Sequence, residues 1–176
     1  LVLVENELLT VIQTPVEMLT QISSHLTKAG GKRLRPALYL LCARQTTTPA
    51  VDPIAIAGAI ELIHMATLVH DDVIDNAATR RGFPTANTQW GNHASVLVGD
   101  FLFSKAFSLV ADQGNNQILK ILADVICSMC EGEIIQIKES FNPLQSEADY
   151  YSRIAKKTAD LIAGSIHCGA ITAGMN

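Results

Sequence analysis

The spacing of apolar residues constrains this chain more than any other feature. They recur at three- and four-residue steps through most of its length, and the interruptions fall where Pro and Gly fall. That period belongs to helices packed through one face, and about eight of them follow from it. The first covers residues 2–12. Pro15, a good first helical residue after Thr14, opens a second that ends near Lys28, ahead of Gly30-Gly31. Pro36 opens a third, residues 36–43, closed by the polar stretch Thr46-Thr47-Thr48-Pro49. Asp52 caps a fourth, with Pro53 at its first position, and this long helix extends past Asp75. Residues 79–91 lack periodicity and read as an ordered loop, of a length that tends to be functional. Helices follow at residues 95–112, 115–139 and 147–156, and a last one, rich in small residues, at 158–173. Strand alternation and internal repeats are absent. The reading is one all-α domain, a helical bundle.

Composition sharpens this. Hydrophobic residues make up 48% of the chain and aromatic ones 5%, a balance that suits Leu, Ile, Val and Ala packed between helices. A net charge of −4 without a basic tail argues against nucleic acid as a partner. The start shows no signal-peptide pattern. Glu61, His64 and His70 interrupt the best apolar run, residues 54–73, so no transmembrane segment is expected. Four cysteines, too sparse for a disulfide scaffold, fit a reducing compartment, and the cytoplasm is expected. Cys127 and Cys130 form a lone Cys-x-x-Cys inside an apolar run and are expected in the core.

The chemistry concentrates at the end of the fourth helix. Asp71 and Asp75, four residues apart, lie about 40° from one another around a helix axis and one turn along it. With Asp72 beside them, these carboxylates repel unless a cation intervenes. Magnesium suits that need, because it takes oxygen ligands and is shared between one or two carboxylates and a substrate's phosphates. His64, seven residues before Asp71, falls within about 20° of the same face. Taken alone, the acids equally suit a solvated patch and His64 a core histidine.

Two basic segments supply context. Gly30-Gly31-Lys32-Arg33-Leu34-Arg35-Pro36 sets glycines that allow close backbone approach before three cations and a helix start, a plausible diphosphate clamp. Arg80-Arg81-Gly82 follows five residues after Asp75. In isolation each also suits a solvated turn. Lys157-Thr158, after Lys156, adds a cation and a hydroxyl at a helix start.

In order and spacing, Gly-Gly-Lys-Arg-Leu-Arg-Pro, Glu61-x-x-His64, Asp71-Asp72-x-x-Asp75, Arg80-Arg81-Gly82, Gly-Asp-Phe-Leu-Phe at 99–103 and Lys157-Thr158 resemble the trans-prenyl diphosphate synthases, across residues 16–176. The resemblance implies an all-α bundle around a deep central cavity, the isoprenoid synthase fold. Residues 1–176 would be the amino-terminal half to two-thirds of that domain. It implies that Asp71, Asp72 and Asp75 hold Mg2+ against an allylic diphosphate and, with Lys157, form the catalytic set. Lys32, Arg35, His64 and Arg81 match the isopentenyl diphosphate site; Arg80, Lys157 and Thr158 match groups on the allylic side, and Gln136 one facing the same cavity. Ala66 and Thr67, both small, match positions where bulk shortens the product, which implies a medium- or long-chain product. Close helix packing explains small residues there equally well. A homodimer is implied, with a heterodimer as the other arrangement.

The implied chemistry is physically coherent. Metal and cations stabilise the departing diphosphate, an apolar cavity keeps water from the carbocation, and the isopentenyl double bond attacks. No covalent nucleophile is required, in keeping with the lack of a Ser/His/Asp or Cys/His arrangement. The family's second aspartate-rich motif has no counterpart after Asp75, so a truncated chain, a natural fragment and a subunit completed by a partner are all open. The chain alone is expected to be inactive. A second reading is a non-catalytic or incomplete subunit that binds or regulates. A terpene cyclase would not need the Lys32 and Arg35 clamp, and a His70-Asp71 metal phosphohydrolase fits the basic motifs poorly.

Overall fold

A computed structural model describes residues 1–46, 48–49 and 51–175, so Thr47 in the expected closing stretch, Ala50 and Asn176 lie outside the described residues. The element order is α1 (Val2–Val11), α2 (Glu17–Lys28), α3 (Leu34–Ala43), α4 (Pro53–Ile74), β1 (Thr79–Arg80), β2 (Phe83–Pro84), α5 (Ala86–Asp112), α6 (Asn116–Glu139), α7 (Glu147–Ile154), a π-helical turn (Ala155–Ala159) and α8 (Asp160–Thr172).

α4 is the axis of the bundle. It starts as the sequence suggests, with Asp52 Oδ1 accepting from Ile54 N at 2.8 Å and Pro53 at the first position. Its next turns are apolar on every side, the mark of a helix with neighbours all round. Ile56, Ile60, Leu62 and Ile63 are fully buried, each worth about 1.5–3 kcal/mol in removal from water. α5 packs along α4 most extensively, α1 and α3 cover its other sides, and α8 closes against α3 and α6. One apolar core runs through all of these.

The differences from expectation have local causes. α3 begins at Leu34, two residues early, because Arg33 takes a left-handed conformation and serves as its N-cap. α4 stops at Ile74, with Asp75 as its C-cap and Asn76 left-handed at φ 50°, so it does not continue past Asp75. The expected loop holds a two-stranded antiparallel hairpin, Thr79 opposite Pro84 and Arg80 opposite Phe83. Two-residue strands carry too little alternation to read from sequence. α5 then begins at Ala86 and kinks at Gly91, whose φ of 82° breaks the helix before the expected start at Ser95. The last two expected helices form one path through the π-turn.

One core expectation also fails. Cys127 and Cys130 are exposed, because the buried stripe of α6 runs through Ile118, Leu122, Val125 and Gly132 and leaves both on other sides of the helix. Both α4 and α5 are long and apolar enough, by length and composition alone, to cross a membrane; in α4, 67% of that window is buried inside the bundle, as in a core helix.

Candidate functional site

The turn between α2 and α3 is shaped from inside. Gly30 at φ 68° ends α2, and Arg33 at φ 48° repeats the left-handed geometry without glycine's freedom, at a cost of roughly 1–2 kcal/mol. Buried ion pairs hold it there. Arg33 Nε donates to Glu5 Oε1 at 2.6 Å, Nη2 to Glu5 Oε2 at 3.1 Å and Nη1 to Glu61 Oε1 at 2.8 Å. Burial opposes its charge, yet these bonds outweigh burial and hold the guanidinium above its ordinary pKa. Arg33 is therefore a brace, held by Glu5 and Glu61 at the edge of the cleft that Lys32 and Arg35 line.

The hairpin supplies the opposite wall. Arg81 and Gly82, at φ 53° and 81°, make the two-residue turn between β1 and β2, with the conformation such tight hairpins favour. Arg81 then lies against Gly31, where a Cβ would stand 2.5 Å from Nη1; glycine at 31 makes room for the guanidinium. His25, for which the sequence offered no role, steadies the hairpin by bonding Nε2 to the Pro84 carbonyl at 2.9 Å, its ring edge-on to Trp90.

Lys32, Arg35, His64 and Arg81, four predicted isopentenyl-side residues, line one cleft of about 470 Å³ with Gly31 and Glu61. Arg35 Nη1 donates to His64 Nε2 at 3.1 Å. Burial first, then Arg35 and Arg81, push His64 down to about 3, so its ring is neutral and keeps Nδ1–H to offer. Arg35 Nε is buried with no partner among the described residues. A cleft of cations with a spare donor suits an anion.

The far end of α4 is different. Asp71 lines an apolar groove of about 230 Å³ with Thr67, Ile74, Ile126, Met129, Glu133 and Lys157. Burial raises the Asp71 carboxyl; Lys157 offsets this in part, while Glu133 and Asp75 add to the rise. Asp75 is exposed at the helix end. Asp72 separates from both: it is 3% exposed, and Arg80 donates to its Oδ1 from Nε at 2.8 Å, with Nη2 at 2.7 Å. Arg80 is thus spent on Asp72. Ala66 is fully buried in the bundle and only Thr67 of that pair reaches the groove.

The π-turn places Lys157. Lys156 pairs with Glu131 and Lys157 with Glu133, each at 2.5 Å. Gly132 between the two acids lets the turn approach, since a Cβ there would meet Lys157 N at 2.9 Å. Gln136 Nε2 bonds Glu133 Oε1 at 3.2 Å, beside the groove. Thr158 is exposed and does not line it. Gly99 packs directly under the His70 ring, which leans towards Phe103 at 5.8 Å between centroids. That explains the Gly-Asp-Phe-Leu-Phe stretch as the seat of α5 on α4. Glu5, Glu133 and His70 were missed as contributors because their partners are remote in sequence; the Glu131-Gly132-Glu133 stretch was the visible trace of one.

A helical bundle with a cationic cleft and an acid-lined apolar groove on one central helix is the fold of the all-α isoprenoid synthases. A decaprenyl diphosphate synthase from Rhodobacter capsulatus superposes with a TM-score of 0.95 at 38% identity, over 99% of this chain and 54% of that one. A polyprenyl synthase from Caulobacter crescentus CB15, complexed with calcium and isoprenyl diphosphate, gives 0.93 at 39% identity, over 98% and 53%. The polyprenyl synthetase family model matches residues 16–176, and the chain belongs to that family. Heptaprenyl diphosphate synthase component 2 of Geobacillus stearothermophilus is 44% identical over 171 residues, 97% of this chain and 53% of that protein. Octaprenyl diphosphate synthase of Escherichia coli K12 is 37% identical over the same shares. The chain spans about half the length of these curated relatives.

Proposed function

We propose that the chain supplies the isopentenyl diphosphate site and half of the allylic diphosphate site of a prenyltransferase that makes a medium- or long-chain trans-polyprenyl diphosphate. The carrying observation is the pair of clefts on α4, one lined by Lys32, Arg35, His64 and Arg81 and the other by Asp71 beside apolar walls and Lys157. The names of the relatives, and the isoprenyl diphosphate in the Caulobacter structure, support this reading.

The donors fit magnesium. Asp71 is a carboxylate raised by burial and by its acidic neighbours Glu133 and Asp75, a hard-oxygen set short of positive charge. Asp71 and Asp75 would hold the ion, and bound there it supplies charge to neutralise a diphosphate leaving group. Asp72 keeps Arg80 folded against the helix end. Lys157, held by Glu133, presents its ammonium to the same groove. Lys32, Arg35 and Arg81 grip the second diphosphate, and neutral His64 orients Arg35. Ile74, Ile126 and Met129 keep water from the allylic cation. Thr67, being small, leaves the groove open to a growing chain.

Only a third of the apolar window of α5 is buried, and Val96 and Leu97 stand exposed on it. This supports a second subunit along α5, identical or different; the two-component naming of the Geobacillus relative is compatible with either. All four cysteines are unpaired, which supports a cytoplasmic setting. Full-length protein with Mg2+, isopentenyl diphosphate and labelled allylic diphosphates should yield elongated, Mg2+-dependent product. Diphosphate release with no isopentenyl diphosphate consumed, for every primer, would sink the reading.

A further inference from the structure

Glu5 stands on α1, outside the residues 16–176 that the family model matches, yet it reaches the basic turn. Its carboxylate takes two of the four side-chain hydrogen bonds of Arg33, at 2.6 and 3.1 Å; Glu61 takes the third, and the Thr27 carbonyl the fourth at 3.3 Å. The Arg33 side chain is 5% exposed and that of Glu5 39%, so Glu5 seals the pair from the solvent side. Arg33 holds a left-handed backbone between Lys32 and Leu34, and its conformation sets where its neighbours point. The nearly buried Arg33 touches the same cleft, which Lys32 and Arg35 line together with Arg81.

We propose that Glu5 is a positioning residue for the diphosphate bound between Lys32 and Arg35: with Glu61 it locks Arg33 left-handed, and α1 thereby belongs to the isopentenyl diphosphate site. This rests on the reading of that cleft given above. Loss of the lock lets the turn relax towards ordinary backbone angles, and the Lys32 ammonium and Arg35 fork lose their fixed separation. Misplacing one charge-assisted hydrogen bond to a diphosphate costs about tenfold in affinity.

The test uses full-length protein and steady-state kinetics. Glu5→Gln keeps the shape and loses the charge; it should raise KM for isopentenyl diphosphate about tenfold, with KM for the allylic substrate and kcat within about twofold. Glu5→Asp, which keeps the charge, should recover part of the loss. In an Arg33→Met background Glu5→Gln should add nothing, since the effect runs through Arg33. A merely structural staple predicts a lower Tm with both KM values unmoved, and that result overturns the inference. Should Glu5→Gln fold poorly, Glu5→Asp alone decides, by whether the isopentenyl KM rises selectively. Lys32→Ala separates the two failures. If it leaves the isopentenyl KM unchanged, the reading of the cleft is wrong; if it raises that KM while Glu5→Gln does not, the positioning role alone falls.

Discussion

At the basic turn the innermost charge is answered within the fold: Arg33 sits between Glu5 and Glu61, 2.6 and 2.8 Å from a carboxylate oxygen of each. At the acidic groove Asp71 faces Glu133 and Asp75, acids like itself, and the groove's lysine, Lys157, is shared between Asp71 and its ion pair with Glu133. One site is assembled before any ligand arrives. The other is left with a surplus of negative charge, and the metal proposed above would complete it. A protein that bound one diphosphate through its own side chains and a second through metal would need this division, since carboxylates repel phosphate until a cation lies between them.

The comparison breaks most sharply at Asp71. Asp71→Ala should lower kcat/KM for the allylic substrate by roughly a thousandfold and abolish its Mg2+ dependence, while KM for isopentenyl diphosphate stays near normal; near-normal allylic turnover would contradict the metal assignment. Next comes the brace. Glu61→Leu strands Arg33 with one carboxylate and should cost about 3 kcal/mol, read as a lower midpoint in urea; a change under 1 kcal/mol would mean that Glu5 and Thr27 satisfy Arg33 unaided.

Lys32→Ala should raise the isopentenyl KM about tenfold, the loss of one charged hydrogen bond of about 1.5 kcal/mol, and leave the Mg2+ titration in place. An equal effect on both substrates would merge the two clefts into one site. The last effect concerns pH, and at neutral pH it leaves both substrates' binding untouched. Burial, then Arg35, hold His64 at about 3, against 6.5 for an ordinary histidine. Between those values the unfolded chain binds a proton that the folded chain refuses, so stability is complete above 6.5 and declines as pH falls below it. His64→Gln should flatten Tm over that window; an unchanged slope would show that the ring is protonated within the cleft.

The sequence revealed the helices because their apolar period and their caps are local. Asp52 and Asn115 cap α4 and α6 through bonds to amides two or three residues on. It also revealed which residue types gather, since Lys32, Arg35, His64 and Arg81 do share a cleft. What it hid depends on distant partners. Nothing near Arg33 announces Glu5 and Glu61, each 28 residues away, and nothing in Asp-Asp-x-x-Asp says that Asp72 turns to Arg80. Helical geometry puts adjacent residues about 100° apart, so Asp71 and Asp72 cannot share one face, whereas a four-residue step brings Asp75 back towards that of Asp71. The same geometry sets Ala66, fully buried, aside from the groove that Thr67 reaches.

The π-turn at Ala155–Ala159 spreads five residues where an α-helix would close sooner. The wide turn absorbs one residue more than an α-turn would. Removing one residue there would restore a regular helix with little change beyond it, whereas removing one from the first turns of α8 would rotate the residues past the cut by about 100°. Gly169 would then swing away from Tyr39, whose carbonyl it touches so closely that a Cβ would stand 2.5 Å off. At this joint the chain is counted as well as spelled: the turn can lose a residue that the helix after it cannot.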